Sequence, residues 1–127
     1  MDKQERRNFE NIFDGPRDTP HIEPIAKGSA PMIFFIYSKD KPDSFELRKA
    51  NRAEHLEYLK KFESHFIAVG PTTTDDGAVM DGSVLLMEFP ERAAAENFRD
   101  NDPYAKAGLF ESSIIKAWIQ VYPKSQA

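Results

Sequence analysis

The feature that most constrains this chain is the unbroken run Met32-Ile33-Phe34-Phe35-Ile36-Tyr37. It is far shorter than the roughly 20 apolar residues of a membrane-crossing helix. Its β-branched and aromatic make-up reads as a strand. Successive strand side chains point to opposite faces, so Met32, Phe34 and Ile36 share one side and Ile33, Phe35 and Tyr37 the other. Both sides are apolar. Ser83 to Phe89 repeats the pattern, with Val84 and Leu86 set against Leu85, Met87 and Phe89. An antiparallel sheet ordinarily keeps one wet face; a sheet built from these strands has two dry ones and needs cover on both.

The remaining punctuation supplies the other elements. Asp40, Pro42 and Asp43 break the first strand, and Asp43 or Ser44 can cap a helix. From Phe45 to about Ser64, Ala53, Leu56, Leu59 and Phe62 recur at helical spacing and predict the packed stripe. Phe66 to Val69 reads as strand two, stopped by Gly70-Pro71, with Asp75-Asp76-Gly77 as a turn. Ser83 to Phe89 is strand three and Glu91 to about Asp100 helix two. Asp102-Pro103 opens a short turn ending at Gly108, and Ile114 to Tyr122 is strand four. There, Ile115, Ala117, Ile119 and Val121 are expected toward the core, with Ile114, Trp118 and Tyr122 opposite, interrupted by Lys116 and Gln120.

The order β-α-β-β-α-β predicts an α+β, ferredoxin-like domain: a four-stranded antiparallel sheet with two helices on one face. Two helices leave the second face bare, and a bare apolar patch of that size is rarely tolerated on a monomer. A second copy closing over it is the simplest cover, so a homodimer is expected.

Residues 1–31 read differently from the rest. They hold four of the nine prolines, few apolar residues and no period, so they are expected to form a flexible N-terminal extension to a domain spanning 32–127. The chain's net charge of −4 argues against a nucleic-acid footprint, which requires clustered positive charge. With no cysteine there is no disulfide, thiolate metal site or cysteine nucleophile. No membrane span and no secretory leader are read, so the cytoplasm is the expected location.

Arg48, Arg52, His55 and Leu59 are spaced four, three and four apart and form one helix stripe. Two guanidinium groups and an imidazole beside core leucines suit a pocket for a small anion; a solvated basic edge would look the same. Asp102 before Pro103 is a good helix cap with no chemistry required. Ser83 reads more readily as a strand-start hydroxyl than as a nucleophile. Asp75, Asp76, Asp81 and His65 lack ligand-like spacing, so no metal site is expected.

Taken together and in order, several weak signals resemble the YciI-like family. They are the strand-one run, the Arg-x-x-x-Arg-x-x-His-Leu helix of Arg48, Arg52, His55 and Leu56, Gly70-Pro71, Gly82-Ser83, Asp102-Pro103-Tyr104, Gly108-Leu109-Phe110 and Trp118. The resemblance implies a dimeric α/β barrel. It also implies that His55 and Asp102 form a catalytic dyad in a cleft, with Ser83 near the pocket. Arg48, Arg52 and Ser83 are then the expected substrate-binding residues and a small anionic or aromatic metabolite the expected ligand. Relatives of this family include a dehydrochlorinase, so the resemblance suggests a lyase or isomerase that moves a proton without metal or organic cofactor. The alternative is a metabolite-binding or sensing module on the same barrel.

Overall fold

The computed structural model describes residues 32–124; the expected extension over 1–31 lies outside the described residues. The elements are β1 (Met32–Asp40), α1 (Phe45–Lys60), a 3-10 turn (Glu63–His65), β2 (Phe66–Thr73), β3 (Met80–Phe89), α2 (Arg92–Asp100), α3 (Pro103–Lys106) and β4 (Phe110–Trp118). The four strands form one sheet in the order β2-β3-β1-β4, every neighbouring pair antiparallel. This is the ferredoxin-like α+β arrangement.

One sheet face carries Phe34, Ile36, Leu85, Met87, Phe89 and Ile115, which pack with Tyr58, Phe62, Ala95 and Phe98 from the helical layer. Aromatic rings dominate this core: Phe62 meets Phe98 edge-on at 4.7 Å, and Tyr58 stacks on Phe98 at 5.3 Å. Removing one such ring typically costs about 3–5 kcal/mol. The Tyr58 hydroxyl donates to the Phe98 carbonyl at 2.8 Å, tying α1 to α2. Burial pushes the Tyr58 phenol well above its ordinary value, so it remains a donor. On the opposite face the register sets Phe35 beside Leu86, Tyr37 beside Val84 and Ile114, and Ile33 beside Trp118. Phe35 and Trp118 stack at 6.1 Å, and Trp118 stays 40% exposed.

Beyond β1 running on to Asp40, α1 ending at Lys60 and β3 beginning at Met80, the elements differ from the sequence expectation in three places. Strand two continues through Gly70 and Pro71 to Thr73. It lies at the sheet edge, where a residue without an N–H costs no ladder bond on the open side. Strand four starts at Phe110 rather than Ile114 and ends at Trp118. Gly108, at φ +77, turns the chain straight from α3 into the sheet. Past Trp118 no described strand remains to pair with, so Ile119 and Val121, expected in the core, are 88% and 66% exposed. Ala117 is exposed as well.

The third difference matters most for the site. Helix α1 does not bury the stripe through Ala53 and Leu56; both are exposed, and Arg48, His55 and Tyr58 are buried in their place. A polar row turns inward because its partners wait there. Among the described residues no helix is long and apolar enough to cross a membrane.

Candidate active site

Helix α3 is one turn long, and Asp102 begins it. Asp102 has the extended backbone of an N-cap, Pro103 follows at the first helical position, and the aspartate side chain accepts the Tyr104 N–H. That bond runs to Oδ1 at 2.9 Å. The same oxygen lies 2.9 Å from His55 Nδ1. His55 is 7% and Asp102 4% exposed, so the contact is shielded from water. A neutral imidazole facing a carboxylate carries its hydrogen on Nδ1, because two acceptors cannot share that contact. Nε2 is then the nitrogen left for a ligand. The cap that explains Asp102 structurally therefore also orients an imidazole.

Tyr104 completes this corner. Its ring lies nearly parallel to His55, with centroids 3.8 Å apart and planes 12° off. The Arg48 guanidinium carbon sits 4.7 Å from the centroid of the same ring. Burial raises the Tyr104 phenol, the nearby Arg48 and Arg52 charges pull it down, and Asp102 and Asp40 add to the rise. The net direction is upward, so the hydroxyl keeps its proton at neutral pH.

Arg48 is held from behind by Asp40, at the end of β1. Its Nε donates to Asp40 Oδ2 at 2.8 Å, and its Nη2 donates to Oδ1 at 3.2 Å and to the Gly82 carbonyl at 2.9 Å. Burial opposes the Arg48 cation, but the bonds and charge of Asp40 and the neighbouring Tyr104 outweigh it, and the guanidinium holds its proton more tightly than usual. Gly82 is required here: a Cβ would stand 2.7 Å from both the Ser38 carbonyl and the Thr72 hydroxyl. Side-chain bulk at 82 would push apart the strands that present the carbonyl to Arg48.

A cavity of about 190 Å³ opens beside these groups. Leu56, Leu59, Val69, Pro71, Met80 and Leu85 form apolar walls, and Arg48, Arg52, His55, Ser83 and Tyr104 supply its polar lining. About 150 Å³ of apolar cavity suffices for benzene, so a single ring fits. All five residues singled out from sequence border this space or, as with Asp102, support a residue that does. Their situations differ. Arg48, expected on the substrate, is spent largely on Asp40 and Gly82. Arg52 is exposed, its Nη1 3.8 Å from the Met80 sulfur, and it reaches no carboxylate among the described residues. Ser83 is buried on β3, in register with Ser38 and Pro71.

Sequence reasoning missed two participants. Asp40 read only as a strand breaker, yet it shares the alternation of Phe34, Ile36 and Ser38, all buried. A carboxylate on the core face of a strand needs a buried cation, and that was the available signal. Tyr104 entered only as part of a motif; nothing in its spacing announces a ring laid on His55. Elsewhere, Thr72 donates to Asp81 at 2.8 Å and Thr74 to Asp76 at 2.7 Å, which is turn chemistry. Among the described residues no group of three acidic or histidine side chains is placed to hold a metal.

The sequence and the fold have known relatives. Protein YciI of Escherichia coli O6:H1 is 35% identical over 98 residues, covering 72% of this chain and all of the relative. A Haemophilus influenzae protein of uncharacterised function is 31% identical over the same share. Among solved structures, 5-chloro-2-hydroxyhydroquinone dehydrochlorinase from Burkholderia phenoliruptrix, in complex with 2,5-dihydroxybenzoquinone, is 40% identical with a TM-score of 0.65. That match covers 69% of this chain and 94% of the other. The model of the YCII-related domain matches residues 32–119, the whole of the sheet and its helices. The chain belongs to the YCII-related family.

Proposed function

We propose that this protein is a cofactor-independent acid–base enzyme acting on a single-ring, anionic hydroxyaromatic or quinone-like compound. The observation that carries the reading is the buried His55–Asp102 bond of 2.9 Å, which commits Nδ1 and leaves Nε2 for a ligand of the adjoining cavity. The 40% identity to a dehydrochlorinase supports it. In this reading the apolar walls hold the ring, Arg52 binds the oxyanion and Ser83 donates a hydrogen bond to a ring oxygen. His55 Nε2 takes a proton from ring carbon or hydroxyl, and Asp102 stabilises the resulting imidazolium. In an elimination the ring reacts as its keto tautomer, with hydrogen and chlorine on one tetrahedral carbon. The O–H pair of the deprotonated hydroxyl becomes a C=O bond, the adjacent C=C pair shifts one bond toward the tetrahedral carbon, and the C–Cl pair leaves as chloride, a net loss of HCl. In an isomerisation the proton returns at another carbon.

The direct test is chloride release from 5-chloro-2-hydroxyhydroquinone, with calorimetric binding of 2,5-dihydroxybenzoquinone alongside. His55→Gln is expected to lower kcat by about 10²–10⁴-fold, the usual worth of a positioned acid or base. Quinone binding that persists unaltered in His55→Gln and Asp102→Asn, without chloride release by the unaltered protein, would instead make this a binding module.

We also infer a homodimer closed over the sheet face that lacks helices. Ile33, Phe35, Tyr37, Val84, Leu86, Ile114 and Trp118 share that face, and Ile114 is 50% exposed. Glu88 and Lys116 interrupt this face, yet an apolar surface of this extent favours association. Sedimentation should show two copies for the full chain and one for Ile114→Lys/Trp118→Glu; a single particle in both cases removes the dimer.

A further inference from the structure

Beyond the dyad, one residue touches both of its members. The Tyr104 N–H donates to Asp102 Oδ1 at 2.9 Å, and the Tyr104 ring stacks on His55 at 3.8 Å. The ring in turn carries the Arg48 guanidinium, whose other side is fixed by Asp40 and the Gly82 carbonyl. Arg48 and His55 are seven residues apart on α1, about 10.5 Å of helix rise. One ring from α3 thus packs on side chains two turns apart on α1. Tyr104 is 1% exposed, so this packing is not an edge contact.

We propose that Asp40, Arg48 and Tyr104 form a positioning column that sets the plane of the His55 ring. A histidine's terminal torsion is broad and roughly two-fold. One hydrogen bond at Nδ1 fixes the distance to Asp102 but leaves the ring free to tilt about that contact. The Tyr104 face removes the tilt, because a parallel stack at 12° admits one orientation of the imidazole plane. Arg48 backs the ring, and Asp40 backs Arg48 while neutralising its charge. Tyr104 and Arg48 therefore act through His55 rather than on the reacting atoms. Arg48 is thereby removed from anion binding, which falls to Arg52.

The inference rests on His55 being the acting group, yet it can be read without any turnover. In ¹⁵N-labelled full-length protein the His55 ring nitrogens report tautomer and exchange; His55→Gln identifies their signals among the three histidines. The unaltered protein is expected to show a single Nδ1–H form. Tyr104→Phe keeps the ring and the backbone donor and is expected to keep that signature. Tyr104→Leu keeps the donor but loses the flat face, and its His55 signals are expected to broaden or split between tautomers. Arg48→Lys keeps a cation for Asp40 and loses the planar guanidinium, and a smaller change in the same direction is expected. It is also the deciding variant should Tyr104→Leu fail to fold. Unchanged His55 signals in a folded Tyr104→Leu protein, or in Arg48→Lys when that is the only one to fold, overturn the column. Loss of the signature in Tyr104→Phe would overturn it as well, by moving the effect from the ring face to the hydroxyl. With a turnover assay in hand, Tyr104→Leu should lower kcat at least tenfold with KM little changed, and Tyr104→Phe should restore it. A protein that never turns over a substrate but shows these ring signals would refute the proposed function and leave the column standing.

Discussion

Two aspartates, Asp40 and Asp102, are buried against basic side chains of the same helix, and they are completed differently. Asp40 meets Arg48 through two bonds of 2.8 and 3.2 Å, and the guanidinium spends a third on the Gly82 carbonyl at 2.9 Å. Asp102 meets His55 through one bond of 2.9 Å and uses the same oxygen as a helix cap. The first pair is closed: its two charges are opposed and largely consumed by protein. The second is left open, with a ring nitrogen available to accept a proton. A fold that needed only to neutralise polar groups could have finished both alike. The contrast separates a pair that supports the structure from a pair with unused chemical capacity.

The most severe way to probe that contrast is to strip the closed pair of its anion. Asp40→Ala leaves a buried guanidinium without its carboxylate, and breaking such a pair typically costs about 3–5 kcal/mol. Urea unfolding should show a loss of that order. Asp40→Leu/Arg48→Met, which removes both charges, should recover most of it, since an apolar replacement of a whole pair is often neutral. If the single and double variants unfold alike, the pair contributes less than its geometry implies and the comparison loses its first half.

The open pair should respond in the opposite sense. Asp102→Asn preserves an acceptor for the Tyr104 N–H and removes the charge that would stabilise an imidazolium. Asp102→Ala removes the cap too, at about 1 kcal/mol. Asparagine is therefore expected to leave the urea midpoint close to that of the unaltered chain while abolishing most of the proposed chloride release. Alanine should be modestly less stable and no more active. Should asparagine destabilise as strongly as Asp40→Ala, Asp102 is a structural charge and the distinction fails.

How much of this could be read beforehand follows from where the information resides. Strands β1 and β3 announce themselves because both of their faces are apolar, so neither period nor composition is ambiguous. The path of β2 through Gly70-Pro71 was hidden, since those residues forbid a central strand but not an edge one. The offset of β4 was hidden because Ile119 and Val121 are as strand-like as Phe110 and Ser112; only pairing with β1 decides which are used. His55 and Asp102 were legible through the family's ordered motifs, and the fold brings them within hydrogen-bonding distance. Arg48 was legible as a member of the stripe but not in its allegiance. Spacing places a side chain on a helix face without saying what faces it, and Asp40 comes from a different element. Helix α1 shows the cost of reading hydrophobicity alone: Leu56 is 47% exposed and Arg48 is buried, because the charged residue has a matched partner inside and the leucine does not.

A third aspartate sets the lower end of the scale. Asp76 is fully exposed, in the turn between β2 and β3, and accepts the Thr74 hydroxyl at 2.7 Å and the Ala78 N–H at 3.0 Å. The Thr74 bond first, and the Ala78 bond after it, hold its carboxyl below the ordinary range. A carboxyl depressed on folding adds stability above its unfolded value and loses it as pH falls through the folded one. Asp76→Ala should therefore be slightly less stable than the unaltered chain at neutral pH, with the gap closing in acid. Paired urea midpoints at neutral pH and across the acid range of a carboxyl would show it. A gap of constant size would mean that the turn is held by its backbone, through the Gly77 N–H to the Thr74 carbonyl at 2.8 Å, and that ionisation contributes nothing. Burial would then be what gives an aspartate its energetic weight in this fold, with charge mattering only where water is excluded.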